Sequence, residues 1–385
     1  MQPSLTELFL SFLRLGAVSF GGPAMVAYIK TLAVKRKGWV SEDEFKGGVA
    51  LCQAIPGATA MQCAAYVGWK ARGFRGAAAT YVGFGLPAFA LMLALSIAYQ
   101  RAAGMPAVAG VLAGLRAIVV ALIAHAAWSF GRSTIKSSAD AAVAVATASA
   151  FLLGANPMLT VAGAALAGTL LLRGAVDDGK RGSRPLAGWK TTIAPLSMVL
   201  FGACFVVAAF AVEPKLGRLG LVMLKTDAMA FGGGFSAIPV MFHEVVDVRG
   251  WLPSQTFLDG IALGQVTPGP IVITSTFVGF QTAGYLGAVV STVCMLLPSF
   301  LVLVLAEPWF DRLQGSALFR AGVRGALVSF VGLLVSTTLQ FAKAVPWNVL
   351  TVVIAVASLV ALLRKVNVVW VVGAGVVISA VSTRL

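Results

Sequence analysis

The feature that most limits this fold is a series of apolar runs, each close to the about 17 to 25 residues that carry a helix across a bilayer. Residues 77–99, 108–130, 196–212, 286–305 and 326–342 are such runs. They are solid rather than alternating, which selects helices over a β-barrel. Of the residues, 59% are hydrophobic and only 11% charged, against about 25% charged in a soluble domain. Mean hydropathy is +0.91. The expected fold is an all-α polytopic membrane protein.

The formal net charge is +15. In a soluble chain that would suggest nucleic acid, but here the basic residues sit in the joints between apolar runs, the positive-inside pattern. Nucleic acid is therefore not an expected partner; the lipid bilayer is. Cys52, Cys63, Cys204 and Cys294 form no CxxC pair and lie in apolar surroundings, so they read as small buried hydrophobes. With only His125 and His243 besides, no ligand set for zinc, haem or iron–sulfur is visible. No cofactor or metal is expected. Glu7 and Arg14 interrupt the first apolar stretch, so no cleavable signal is expected there.

An internal repeat organises the chain. Phe20-Gly21-Gly22 matches Phe231-Gly232-Gly233, and Gly38-Trp39 matches Gly250-Trp251. Gln53-Ala54-Ile55-Pro56-Gly57 matches Gln265-Val266-Thr267-Pro268-Gly269, and Pro87 matches Pro298. Arg14 falls opposite Lys225, and Arg116 opposite Arg324, at offsets that stay between 208 and 212. The reading is a first membrane repeat over 1–172, a basic cytoplasmic linker over 173–190 and a second repeat over 191–385. The segment from Lys30 to Arg75 is rich in Lys and Arg, whereas its counterpart carries only Arg249. The same unit thus faces opposite sides in the two halves. Five full spans expected between the units, near 76–100, 107–132, 137–153, 157–173 and 188–212, agree with inversion. Inverted repeats are characteristic of secondary transporters.

Each half also holds stretches broken by Gly and Pro into pieces too short to cross, which suit half-helices or re-entrant hairpins meeting near the midplane. Helix N-termini at such breaks expose N–H groups and favour an anion. The candidate substrate-binding residues are therefore Gly21, Gly22, Pro56, Gly57 and Thr59 in the first half. In the second they are Gly233, Gly234, Ser236, Gly269 and Thr274. The alternative is that Gly and Pro only permit close packing. Gln53 and Gln265 either bind substrate or cap the preceding half-helix. Arg14 and Lys225 are intramembrane cations, either on the substrate path or snorkelling, with Asp227 near enough to neutralise Lys225. Arg116 and Arg324 read as interface anchors. Glu42, Asp43, Glu44, Glu244, Asp247 and Asp259 are expected in solvent. Gly154, Gly163 and Gly168 either support a homodimer or pack helices within one chain.

The runs Phe20–Pro23, Gly38–Val40, Gln53–Gly57, Phe231–Gly234, Ile238–Val240 and Gln265–Pro270 resemble the chromate ion transporter family in its long two-domain form. The resemblance spans nearly the whole chain. It implies a transporter, not an enzyme, that exports chromate across the bacterial inner membrane and confers resistance, with sulfate as a structural mimic. Alternatives are a sulfate or other oxyanion transporter of the same fold, and a membrane-bound chromate reductase. The residues alone reach only an anion, an inverted repeat and a midplane site.

Overall fold

A computed structural model describes residues 3–20, 22–102, 104–171, 190–309 and 315–382. Gly21 and nearly all of the expected 173–190 linker lie outside them. The described residues form helices and no strands.

The first half runs through seven helices. Helix α1 (Leu5–Val18) starts at Ser4, whose hydroxyl accepts the Glu7 N–H at 3.0 Å. Helix α2 (Gly22–Lys30) continues into a π-turn over Thr31–Arg36. An ion pair from Lys37 to Glu7 at 2.8 Å brings that end back beside the start of α1. Helix α3 (Glu42–Ala54) opens on a capping box between Ser41 and Glu44. Then come α4 (Thr59–Ala102), α5 (Pro106–Thr134), α6 (Ser138–Leu152) and α7 (Pro157–Leu171).

The 44 residues of α4 are two helices, not one. At Arg72 and Gly73 the backbone leaves the helical region, with Gly73 at φ 60°, ψ −149°. A Cβ on Gly68 would overlap the Gly76 carbonyl oxygen. In a continuous helix residues eight apart are separated by about 12 Å, so the chain reverses here. Residues 59–71 pair with α3 as a re-entrant hairpin, and 74–102 make a long helix. Helix α3, at 13 residues, is about 20 Å long, well short of a bilayer's hydrocarbon thickness.

Helix α8 (Lys190–Val212) follows, and then the pattern repeats: α9 (Pro214–Ala228), α10 (Ala237–Phe242) with a π-turn over His243–Val248, α11 (Ser254–Val266), α12 (Thr274–Ala306), α13 (Ala317–Ala344), α14 (Val349–Leu363) and α15 (Val368–Ser382). Helix α12 reverses at Ala283 and Gly284 as α4 does, with Gly284 at φ 61°, ψ −149°. Gly279 and Gly287 cross as Gly68 and Gly76 do. Each half is a set of paired strokes, so it ends on the side where it began; the lone α8 then inverts the second half.

The halves interlock. Helix α5 packs on α14 and α15 of the second half, and α13 packs on α6 and α7 of the first. A Cβ on Gly325 would overlap Ala164 O next to Gly168, and one on Gly114 would overlap the Ser379 hydroxyl. Gly168 is thus spent on packing within the chain, while Gly163 faces open space. These contacts set a register of 211 residues between α5 and α13. Arg116 therefore corresponds to Leu327 and not to Arg324, a correction of three residues to the sequence alignment. Helix α6 has 15 residues, about 22 Å, shorter than the 137–153 span expected for it. Large apolar side chains such as Leu153 (87% exposed) and Trp370 (75%) point outward, as a lipid-facing surface requires.

Candidate functional site

The breaks of the two halves meet. The Gly57 N–H donates to Ala230 O at 2.9 Å, and the Gly269 N–H donates to Ser19 O at 2.8 Å. Residues 19 and 230 correspond, as do 57 and 269, so the two bonds exchange across a pseudo-twofold axis. Gly57 (φ 123°) and Gly269 (φ 118°) hold a conformation that side chains resist. These two N–H groups, candidates for oxyanion binding, are used to join the halves. The Ala58 N–H likewise donates to Ser299 Oγ at 2.9 Å.

From this junction a cavity of about 1220 Å³ opens to one end of the molecule. Its base holds Phe20, Gln53, Phe235, Ser236 and Gln265 from the four breaks. One wall is the α5 face bearing Leu122, His125, Ser129 and Ser133, spaced as one helix side requires. The opposite wall is α13, with Arg320, Val323, Arg324 and Leu327. Lys136, just beyond α5, and Lys365 and Asn367, in the α14–α15 turn, stand at the mouth.

Two properties suit this cavity to an anion. First, Lys136, Arg320, Arg324 and Lys365 line it, and among the described residues no carboxylate does. Beside it, Asp140 is fully buried and pairs with Arg324 at 2.6 Å. Low-dielectric walls strengthen such a field. Second, Gln53 and Gln265 present amides from corresponding helix ends. Neither amide donates to a protein acceptor among the described residues, and the Gln265 Nε2 is shielded from solvent with no partner there. The capping role considered for them is not seen.

The other candidates are distributed differently. Gly22 and Gly234 start α2 and the 3-10 turn before α10. Thr59 lies near Gly233, whose Cβ would be 3.5 Å from its hydroxyl. The Ser236 hydroxyl donates to Gly233 O at 2.6 Å. The Pro56 carbonyl accepts from Gln62 Nε2 at 2.6 Å. Thr274 is fully buried and donates to Ile271 O at 2.8 Å, off the cavity wall. Arg14 is exposed on α1 and Lys225 pairs with Glu244; neither lines the cavity.

Several charged residues differ from expectation. Asp227 does not neutralise Lys225; it accepts from the Ser299 N–H and hydroxyl at 2.6–2.8 Å. Glu244 and Asp259 are buried, not solvated, because each is held by cations: Lys225 and Arg249 for Glu244, Arg116 for Asp259. Arg116 and Arg324 are thus internal ion-pair partners and not interface anchors. Arg116 grips Asp259 through Nε at 2.6 Å and a terminal nitrogen at 2.8 Å, and the Tyr99 hydroxyl adds a third bond at 2.8 Å.

That cluster lies beyond the cavity base. Arg116 precedes Leu122, and Asp259 precedes Gln265, each by about 9 Å along its helix. There Phe341, the counterpart of cavity-lining Phe130, is fully buried against Phe242 and Phe257 at 5.0 and 6.4 Å. The cavity is thus open on one side of the junction, and the equivalent position on the other side is filled by side chains.

Sequence reasoning missed His125, Lys136, Arg320 and Lys365 because it weighted repeated positions. Lys136 corresponds to Trp347 and Lys365 to Gly154. The available signal was the reverse: cations present in one half and absent from the other.

The family model for chromate transporters matches residues 6–169 and 217–380, two stretches of equal length offset by the same 211 residues as the structural halves. The chain is 39% identical to an uncharacterized transporter of Methanocaldococcus jannaschii, covering 96% of this chain and 92% of that one. It is 32% identical to a probable chromate transport protein of Synechococcus elongatus (86% and 82% covered) and 30% identical to the chromate transport protein of Cupriavidus metallidurans (94% and 88%). No solved structure matches it. With its paired halves, crossed breaks and polar cavity, this chain is a membrane protein belonging to the chromate transporter family.

Proposed function

We propose that this protein exports chromate across the bacterial inner membrane by alternating access, and so confers chromate resistance. The observation that carries the proposal is the pair of unspent Gln53 and Gln265 amides at the base of a cation-lined cavity. A tetrahedral dianion needs several donors converging without a competing carboxylate, and charge-assisted bonds of this type are the strong ones. The relatives' substrate matches that chemistry.

The cavity mouth sits at the end where α6 begins and the described part of α7 finishes, and the basic 173–190 stretch follows α7 in the sequence. The positive-inside rule assigns that end, with the N-terminus, to the cytoplasm. The conformation is then open inward and sealed outward. Export of a dianion along an inside-negative potential is favourable by about 2.3 kcal/mol per charge per 100 mV, about 4.6 kcal/mol for two charges. Sulfate shares the charge and shape and is a competitor in this reading.

The test is labelled-chromate accumulation in energised bacteria with and without the protein, with and without excess sulfate. Lower cellular chromate on expression, relieved by sulfate, supports the proposal. Unchanged chromate with altered sulfate content would replace it by a sulfate transporter of the same fold.

A further inference from the structure

Four carboxylates are buried among the described residues, and three of them, Asp140, Glu244 and Asp259, pair with cations. Asp227, near the end of α9, is fully buried, and no cation pairs with it among the described residues. It accepts from the Ser299 N–H at 2.7 Å and from the Ser299 hydroxyl, whose oxygen accepts the Ala58 N–H at 2.9 Å. The chain Asp227–Ser299–Ala58 thus links the second half to the Pro56-Gly57 break of the first. Five residues upstream of Ala58 is Gln53, at the cavity base.

Beside this chain lies Gln62, also fully buried. Its Nε2 donates to Pro56 O at 2.6 Å and to Ser299 O at 3.3 Å, yet its Oε1 has no partner. A Cβ on Gly57 would overlap Ser299 Oγ and lie 2.6 Å from Gln62 Nε2, so the three groups are in direct contact. The cluster is one hydrogen-bond donor short.

The cluster has no twin. The counterparts of Asp227 and Ser299 are Gly16 and Ala88, and Gly269 packs against Ala88 as Gly57 packs against Ser299. Packing at the breaks therefore needs only small residues, and one half has added an acid. A lone buried acid with no cation is costly to keep charged, and an intramembrane carboxylate is a functional candidate by default. The groups facing it are Tyr81 and Ser299. The facing stretches of α12, α8 (residues 197–212) and α10 carry no charged side chain. The spacing leaves no room for a metal cation between Asp227 and Ser299.

We infer that Asp227 is the proton-coupling residue of this transporter: it takes a proton from external water when the halves move apart and releases it to cytoplasmic water on return. The inference rests on the transport reading above. No bond changes other than O–H, and the proton enters as the anion leaves.

The test uses the full chain in liposomes containing a pH-sensitive dye, with labelled chromate and, in parallel, labelled sulfate. Wild-type protein is expected to move protons against anion flow. Asp227→Asn, isosteric and unable to titrate, is expected to keep anion–anion exchange and lose proton movement to the protein-free level, and Asp227→Glu to restore it. Proton movement by Asp227→Asn at the wild-type rate, or coupling to a sodium gradient instead, overturns the inference. Should Asp227→Asn not fold, Ser299→Ala serves: removing a donor to the carboxylate moves the midpoint of coupled flux to higher pH, and an unmoved midpoint overturns the inference. If neither anion is exchanged by wild type, the transport reading has failed. Infrared pH-difference spectra then decide the protonation alone: a carboxylic-acid band that forms as pH falls in wild type and is missing in Asp227→Asn, or is displaced to higher pH in Ser299→Ala, supports the site, and no such band overturns it.

Discussion

Replacing Arg116 with Ala isolates the seal at the far end of the pathway. Asp259 is 0% exposed and Arg116 only 14%, and the guanidinium supplies two of the three bonds on the carboxylate. In the variant, Asp259 retains the Tyr99 hydroxyl alone. Breaking a buried pair on one side costs about 3–5 kcal/mol, because the remaining charge stays desolvated. Removing both partners, as Arg116→Met with Asp259→Asn, leaves no stranded charge. The remaining deficit is then the about 1–3 kcal/mol of a buried polar group with an imperfect partner. The assay is equilibrium unfolding in mild detergent, read by intrinsic fluorescence, for wild type, both single variants and the double. The expected pattern is a large loss in Arg116→Ala and partial recovery in the double. A loss below about 1 kcal/mol, the value for a solvated surface pair, would refute the buried seal.

Gln53→Leu and Gln265→Leu each remove a donor to a charged ligand worth about 1.5–3 kcal/mol, so transport KM should rise about tenfold to a hundredfold while thermal stability holds. Gly57→Ala combines left-handed strain with overlap onto Ser299 and should abolish folded protein in size-exclusion assays. Gly73→Ala meets open space and should cost only the about 1–3 kcal/mol of backbone strain. Lys136→Gln with Lys365→Gln should slow substrate entry at low salt, the difference shrinking once the Debye length falls to about 8 Å near 0.15 M.

The sequence made the architecture readable because bilayer physics leaves few choices. Run length, Gly-Pro breaks and the basic-residue bias led to helices, two halves and inversion. The chain reversals at Gly73 and Gly284 were less visible, since flanking residues continue the helical pattern and only φ > 0 at one glycine marks the turn. The site was half legible. Gln53, Ser236 and Gln265 stand at the cavity base because the breaks converge there, as the repeat implied. The N–H groups of Gly57 and Gly269 were a plausible anion cradle until the fold showed them bonded to Ala230 and Ser19. Which donors remain free depends on how two distant segments cross, and spacing along one chain does not encode that. The mouth residues Lys136, Arg320 and Lys365 escaped notice because a pathway open at one end is lined by residues its symmetry partner lacks.

Export through the cavity can be read in everted membrane vesicles carrying wild-type protein or the Gln53→Leu, Gln265→Leu double variant, given labelled chromate and an imposed inside-positive potential. Wild-type vesicles should take up chromate in response to the potential, with excess sulfate suppressing it, and the double variant should stay near the protein-free level at low chromate. Wild-type vesicles that take up no chromate would rule out chromate export, and a double variant with unchanged KM would rule out Gln53 and Gln265 as its binding groups.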